Sequence, residues 1–199
     1  KGTSLSDIPE TAAEYFSKLD NTNLLQFLLA EKCILVEGAT EYLMLPELYK
    51  VIYLGSSLEG DKIDIISCNG LSYKKYLEIA KKTNHKVAVI TDNDGKRENV
   101  EYMKKYNAEN EGSHIFMSDD TGDSGWTWEA NIYSLNKSLI EGLIAIEDGA
   151  QYLFRGRKYE PYLGKMLNNK VETAFQLLPK IGELKCPQYV LEAFEWIRN

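Results

Sequence analysis

"CILVEGATEYLMLPEL" (residues 33–48) and "KVAVITDNDGK" (residues 86–96) together decide the fold. In each, a short apolar run stops at an acid: Glu37 in the first, Asp92 and Asp94 in the second. Runs this short, apolar at consecutive positions and rich in Val and Ile, predict strands covered on both faces, as in a parallel sheet. "IDIISC" (63–68) and "SHIFMS" (113–118) have the same character. Between them lie helix-like segments, "TEYLMLPELYKVI" (40–52), "SYKKYLEIAKKT" (72–83) and "RENVEYMKKYN" (97–107). Strand and helix alternate, so an α/β fold with right-handed crossovers is expected. Pro46 lies inside the first helix and predicts a kink there, because proline removes a donor and crowds the preceding turn.

Working outward, "SDIPETAAEYFSKL" (6–19) offers Ser6 or Asp7 as a cap and Pro9 in the first turn of a helix. A second helix, "NLLQFLLAEK" (23–32), leads into the first strand. From residue 131 the pattern is helical, in "NIYSLNKSLIEGLIAI" (131–146), "LNNKVETAFQLLPK" (167–180) and "PQYVLEAFEWIRN" (187–199), the last with Pro187 in its first turn. The expected organisation is a helical lead-in over 1–32, an α/β core over 33–130 and a helical part over 131–199 that completes the domain. No internal repeat or low-complexity linker interrupts it.

The chain has 199 residues, 44% hydrophobic and 27% charged, which is enough for one substantial buried core. No apolar stretch reaches the roughly 20 residues a membrane-crossing helix needs, and no secretory signal opens the sequence. It starts at Lys1, as a fragment or processed product would. Cys33, Cys68 and Cys186 lack any CxxC spacing, which argues against a zinc site and fits a reducing cytoplasm. A net charge of −7 argues against a broad basic DNA-binding face, unless the acids hold cations that themselves face phosphate. One local exception is "RGRKYEPYLGKMLNNK" (155–170), where Arg155, Arg157, Lys158, Lys165 and Lys170 meet only Glu160. The plain reading of that run is a solvated surface.

Ligands of open α/β sheets sit beyond the carboxyl ends of the strands. Glu37, Asp92 and Asp94 are expected there, with Gly95 allowing a sharp exit, and Glu41 follows Glu37 by one helical turn on the same face. Singly, a Glu at a helix start serves the helix dipole and a DxDG is a turn. Together, at the ends of two strands, they form a set of carboxylates whose repulsion a divalent cation relieves. Oxygen-only ligands select Mg²⁺ or Mn²⁺, and two such ions about 4 Å apart can bind both the attacking and leaving oxygens of a phosphodiester. "SDDTGDSGWTWE" (118–129) does not have calcium-loop spacing. Its Asp119, Asp120 and Asp123 are candidate ligands or turn formers, and Trp126 and Trp128 candidates for base stacking or core packing. His85 and His114 have no nucleophile partner nearby in the sequence.

"ILVEGATE" followed by "VAVITDNDG" resembles the Toprim (topoisomerase–primase) fold, which pairs a Glu after its first strand with a DxD after a later one. The resemblance is closest to the overcoming-lysogenization-defect (OLD) nucleases, a family that includes the nuclease subunit of the Gabija anti-phage system. Glu41 and "LMLP" match that family's extended first motif, "SGWTWEANI" resembles its later motif with Glu129 as a metal-holding residue, and "NNKVETAFQL" resembles the helix carrying its functional lysine, Lys170. The resemblance implies a metal-dependent DNA endonuclease of anti-phage defence. Glu37, Glu41, Asp92, Asp94 and Glu129 would hold two Mg²⁺ or Mn²⁺ ions, Glu37, Asp92 and Lys170 being catalytic, and Lys170 would stabilise charge on the phosphate. It also implies DNA as a partner, an ATPase domain in the same full-length chain and a helicase partner subunit. No GxxxxGK[ST] occurs in these residues, so the resemblance implies that they are the Toprim part alone. Two other readings compete. A haloacid-dehalogenase-type phosphatase would use Asp92 as its nucleophile, but leaves Glu37 and Glu41 without a task. A non-catalytic, metal-stabilised interaction module would need the same carboxylates and no reaction.

Overall fold

A computed structural model describes residues 7–18, 22–68, 73–119 and 125–199. The four expected strands are present as β1 (Lys32–Val36), β2 (Ile63–Ser67), β3 (Lys86–Ile90) and β4 (Ile115–Ser118). They form one parallel sheet in the order β2-β1-β3-β4. From β1 the chain moves to one side through α3 (Ala39–Ile52), then returns past β1 through α4 (Tyr73–Ala80) to build β3 and, after α5 (Arg97–Glu109), β4 on the other side. The order therefore reverses between β1 and β3, the place where open α/β sheets leave a crevice for ligands.

Alternation along the strands explains why both faces are covered. Ile34, Val36, Ala88 and Ile90 pack on one side with residues of α3, α6 (Trp128–Leu143), α7 (Pro161–Asn168), α8 (Lys170–Leu177) and α9 (Gln188–Arg198). Cys33, Leu35, Val87 and Val89 pack on the other with α1 (Glu10–Lys18), α2 (Thr22–Leu29), α4 and α5. Each fully buried aliphatic side chain contributes about 1.5–3 kcal/mol, so continuous apolar strands are what a two-sided core demands. The three cysteines are free thiols.

Several local expectations need correction. Helix α3 continues unbroken through Pro46. The carbonyl that Pro46 cannot serve belongs to exposed Tyr42, where water can satisfy it. Pro9 precedes α1 and accepts from Ala12 and Ala13 N–H instead of lying within the first turn; Ser6 lies outside the described residues. Pro187 likewise sits at the cap of α9. The expected helix over 167–180 is broken at Asn169, whose backbone is non-helical, and continues after α8 as a 3-10 turn over Leu178–Glu183. Asn168 and Asn169 donate their amides to Gly164 and Lys165 carbonyls, a local competition that ends α7. That break puts Lys170 at a helix start.

A small hairpin, β5 (Leu153–Phe154) and β6 (Arg157–Lys158), was not expected. Its two turn residues, Arg155 and Gly156, both have positive φ (50° and 75°), as type I′ hairpin turns require. Among the described residues, no helix is long and apolar enough to cross a membrane.

Candidate functional site

Glu37 leaves the carboxyl end of β1, and Asp92 follows Thr91 just past the end of β3, on the neighbouring strand. The two ends are tied together: Thr91 Oγ1 donates to Glu37 Oε1 through a short hydrogen bond, and the Asp92 N–H donates to the same oxygen at 3.4 Å. Gly38 caps α3 with extended backbone, and Thr40 and Glu41 in the first turn are both buried. Any Cβ on Gly38 would stand 2.9 Å from Glu41 Oε2, so the missing side chain is what gives Glu41 its place.

The third element is α6. Thr127 caps it by accepting from the Ala130 N–H, which sets Glu129 in the first turn, 1% exposed. Thr40 Oγ1 reaches Glu129 Oε1 at 3.5 Å, and Lys170 Nζ donates to Glu129 Oε2 at 2.9 Å. Lys170 opens α8 at the wrong end of a helix dipole; its ion pair with Glu129 offsets that. Helix starts of α3, α6 and α8 thus meet at the switch point.

The electrostatics follow from crowding. Burial pushes the Glu41 carboxyl up to about 7, helped by Glu129 and Glu37 and opposed by Lys170. Burial also raises Asp92 well above the usual carboxylate range, and Glu41, Glu129 and Glu37 push the same way against Lys170. Glu37 is raised by burial, and its bonds from Thr91 and Asp92 hold that rise back. Burial pulls Lys170 down, but Glu129, Asp92 and Glu41 outweigh it and the ammonium ends above its ordinary value. Glu37, Glu41, Asp92 and Glu129 are therefore one interacting acidic group with a single lysine against it.

Asp94 behaves differently. Its φ is +55°, it is anchored by its N–H to the Trp126 carbonyl, and its Oδ1 meets the Arg155 guanidinium at 2.9 Å. The two acids of the DxD thus diverge: Asp92 turns into the buried group and Asp94 toward the hairpin. Oxygen-only donors that repel one another suit a hard divalent cation. As the side chains stand, no three Asp, Glu, His or Cys among the described residues are gathered tightly enough to hold one ion. Two of the five acids are turned onto cations of the chain itself, Glu129 onto Lys170 and Asp94 onto Arg155.

Of the remaining candidates, Trp128 is a core residue, and Trp126 is half-buried and stacked on Tyr159 at 5.6 Å between ring centres. Asp119 is buried at the end of β4; Asp120 and Asp123 lie outside the described residues. Sequence reading missed three residues that shape the site, and named a fourth, Arg155, only as part of a basic run. Thr91 and Thr40 orient Glu37 and Glu129. Asn93 accepts from Gly95 N–H and donates to the Gly125 carbonyl, locking the turn between the aspartates, and Arg155 holds Asp94. Asn93 had a signal, since Asn in a D-N-D-G run favours such side-chain-closed turns; the threonines had none.

Residues 28–94 match the family model described as the overcoming lysogenization defect protein-like TOPRIM domain. No curated protein matches the chain. Among solved structures, the C-terminal region of the Burkholderia pseudomallei OLD protein has a similar fold, with a TM-score of 0.57 at 18% identity over 85% of this chain and 98% of that one. The C-terminal region of the Xanthomonas campestris pv. campestris OLD protein is similar in two structures, phased with iodine and with platinum. Their TM-scores are 0.54 and 0.55, both at 18% identity, over 85% and 87% of this chain and 95% and 94% of those. At such identity the likeness is one of fold, and it extends well beyond the segment matched by sequence. Residues 28–94 thus resemble an OLD-like Toprim domain, and the fold around them is similar to that of the C-terminal regions of OLD proteins.

Proposed function

We propose that this chain is the metal-dependent DNA endonuclease module of a longer, ATP-regulated OLD-type protein acting in anti-phage defence. The observation that carries the reading is the buried group of Glu37, Glu41, Asp92 and Glu129 at the β1/β3 switch point, each of the first three held above its ordinary pKa. Keeping four carboxylates together at a largely buried site opposes folding unless something positive joins them. Glu37, Glu41, Asp92, Asp94 and Glu129 would hold Mg²⁺ or Mn²⁺, as two ions. Bound there, the cations supply charge neutralisation of the phosphodiester and acidify the attacking water.

The chain's own groups do the rest. Thr91 and the Asp92 N–H engage one oxygen of Glu37 and orient its carboxylate. Thr40 and Lys170 do the same for Glu129. Lys170 is half-exposed at the mouth of the group, where its ammonium can donate to oxygens that gain charge as the phosphodiester breaks. Loss of one such donor costs roughly 10²–10³ in rate. An ATPase part outside these residues accords with the matched structures being C-terminal regions.

Plasmid nicking tests this reading. Supercoiled DNA with Mg²⁺ or Mn²⁺ should be cut by the unmodified protein and not detectably by Glu37→Ala or Asp92→Ala. Equal cutting by all three proteins would overturn the assignment, and unchanged Mn²⁺ binding by both variants in calorimetry would remove the metal site itself.

A further inference from the structure

The hairpin over residues 153–158 is placed against the acidic group by contacts with no evident role in the core. Phe154 and Tyr159 close on Trp126, with ring centres 6.1 and 5.6 Å from it and 6.4 Å from each other. Trp126 is also the residue whose carbonyl accepts from Asp94 N–H. At the base, Tyr152 presses on Gly164 of α7, where a Cβ would lie 2.4 Å from the tyrosine's own, and Asn168 donates to the Leu153 carbonyl. The hairpin is thus fixed from two sides, and its tip carries Arg155 onto Asp94.

Two features say that the tip is kept for its chemistry. Arg155 occupies a left-handed position that Asn, Asp or Gly would fill with less strain. Its side chain is 62% exposed against 21% for Asp94, so the ion pair contributes little against that strain; the guanidinium also lies 5.3 Å from the centre of the Phe154 ring, a contact worth about as little at an exposed site. Beyond it, Arg157 and Lys158 are exposed and make no ion pair with a described residue, although the chain as a whole carries a charge of −7. A cationic edge beside an acidic centre matches a phosphodiester strand: the edge takes flanking phosphates while the centre receives one of them.

We infer that the 153–158 hairpin is a strand-positioning element, in which Arg155, Arg157 and Lys158 grip the phosphate backbone of bound nucleic acid and Arg155 rests on Asp94 when none is bound. Arg155 presents a planar fork that suits phosphate as well as carboxylate. If Asp94 held a cation, an arriving strand would offer the Arg155 guanidinium a phosphate in place of that carboxylate. The inference rests on the nuclease reading above.

Fluorescence anisotropy on labelled duplex and single-stranded oligonucleotides provides the test, with Ca²⁺ present and in an Asp92→Asn background to suppress cutting. Arg155→Asn removes the charge and suits the left-handed turn, so its melting temperature should be unchanged or higher while nucleic-acid affinity falls roughly tenfold. The variant Arg155→Asn/Arg157→Gln/Lys158→Gln should bind more weakly still. Its slope of log K against log salt on duplex should flatten by about 0.9 for each phosphate that the variant no longer neutralises. Unaltered affinity and slope in a protein that still cuts plasmid would overturn this inference and leave the nuclease reading intact. Tighter Mn²⁺ binding by Arg155→Asn without any change in nucleic-acid affinity would also overturn it, making Arg155 a block on Asp94 alone. Absence of nucleic-acid binding by the unmodified protein would take both readings away.

Discussion

Gly38 and Glu41 compete for one space, and the glycine is what resolves the competition. Its φ of −129° is open to any residue, so conformational freedom is not the reason for its presence. Room is the reason, since an added methyl would meet Glu41 Oε2 at 2.9 Å. The atom displaced is the far end of a flexible side chain, which can move cheaply. Gly38→Ala should therefore cost no more than about 1 kcal/mol in stability, the usual difference at a helix cap. It should nevertheless weaken divalent-metal binding by roughly tenfold or more, because one of the five acids no longer reaches its position. Thermal melts alongside Mn²⁺ calorimetry check this; a large loss of stability with unchanged metal affinity would make Gly38 merely a packing residue. This constraint could not be read from the sequence, where "EGATE" shows a glycine between two acids and nothing about their distance.

At the scale of elements, the end of α9 shows how a helix is docked by strands. Lys32 and Lys86 are register partners at the starts of β1 and β3. Their ammonium groups donate to the Arg198 and Trp196 carbonyls at 2.8 Å each. Carbonyls in the last helical turn have no partner within the helix, and a cation there also complements the dipole. Lys86 additionally lies 4.6 Å from the centre of the Trp196 ring, although burial and Lys32 both lower its pKa. Lys86→Met should lower stability by about 1–2 kcal/mol, seen as a drop of roughly 2–8 °C in melting temperature, while plasmid nicking at a permissive temperature stays unchanged. The four strands were legible from their consecutive apolar runs and most helices from their periodicity, because each signal spans several residues. The 153–158 hairpin was not, because two-residue strands have no period and Arg155 is not a residue that announces a left-handed turn. The break at Asn169 was hidden for a related reason: asparagine is tolerated in helices, and only its non-helical backbone shows it ending one.

For the whole molecule, the sequence located each acid at the end of an element, yet their convergence depends on strand order. β1 and β3 are neighbours because the chain doubles back past β1, and α6 and α8 then bring Glu129 and Lys170 to the same edge. The fold thereby gathers charge that it must hold at a cost, and that cost is measurable. An acid whose pKa is higher in the folded state than in the unfolded one takes up protons on folding, so stability falls as pH rises through the interval between the two values. For Glu41 that interval runs from its ordinary 4.5 to about 7, and Asp92 and Glu37 shift in the same direction. The metal-free protein should therefore melt at a lower temperature at about pH 8 than at about pH 5.5, and Glu41→Gln should reduce that difference. Divalent metal should reverse the trend, because it binds the ionised carboxylates and must displace protons to do so at low pH. At about 100 times its dissociation constant, free Mn²⁺ contributes about 2.7 kcal/mol, a rise of roughly 5–10 °C for a chain of this size. That rise should be full at about pH 8 and small at about pH 5.5, with calorimetric scans across both pH and Mn²⁺ as the measurement. A melting temperature that ignores pH in the metal-free protein, or a metal effect equal at both pH values, would mean that the carboxylates at the switch point are not a strained, ion-seeking group.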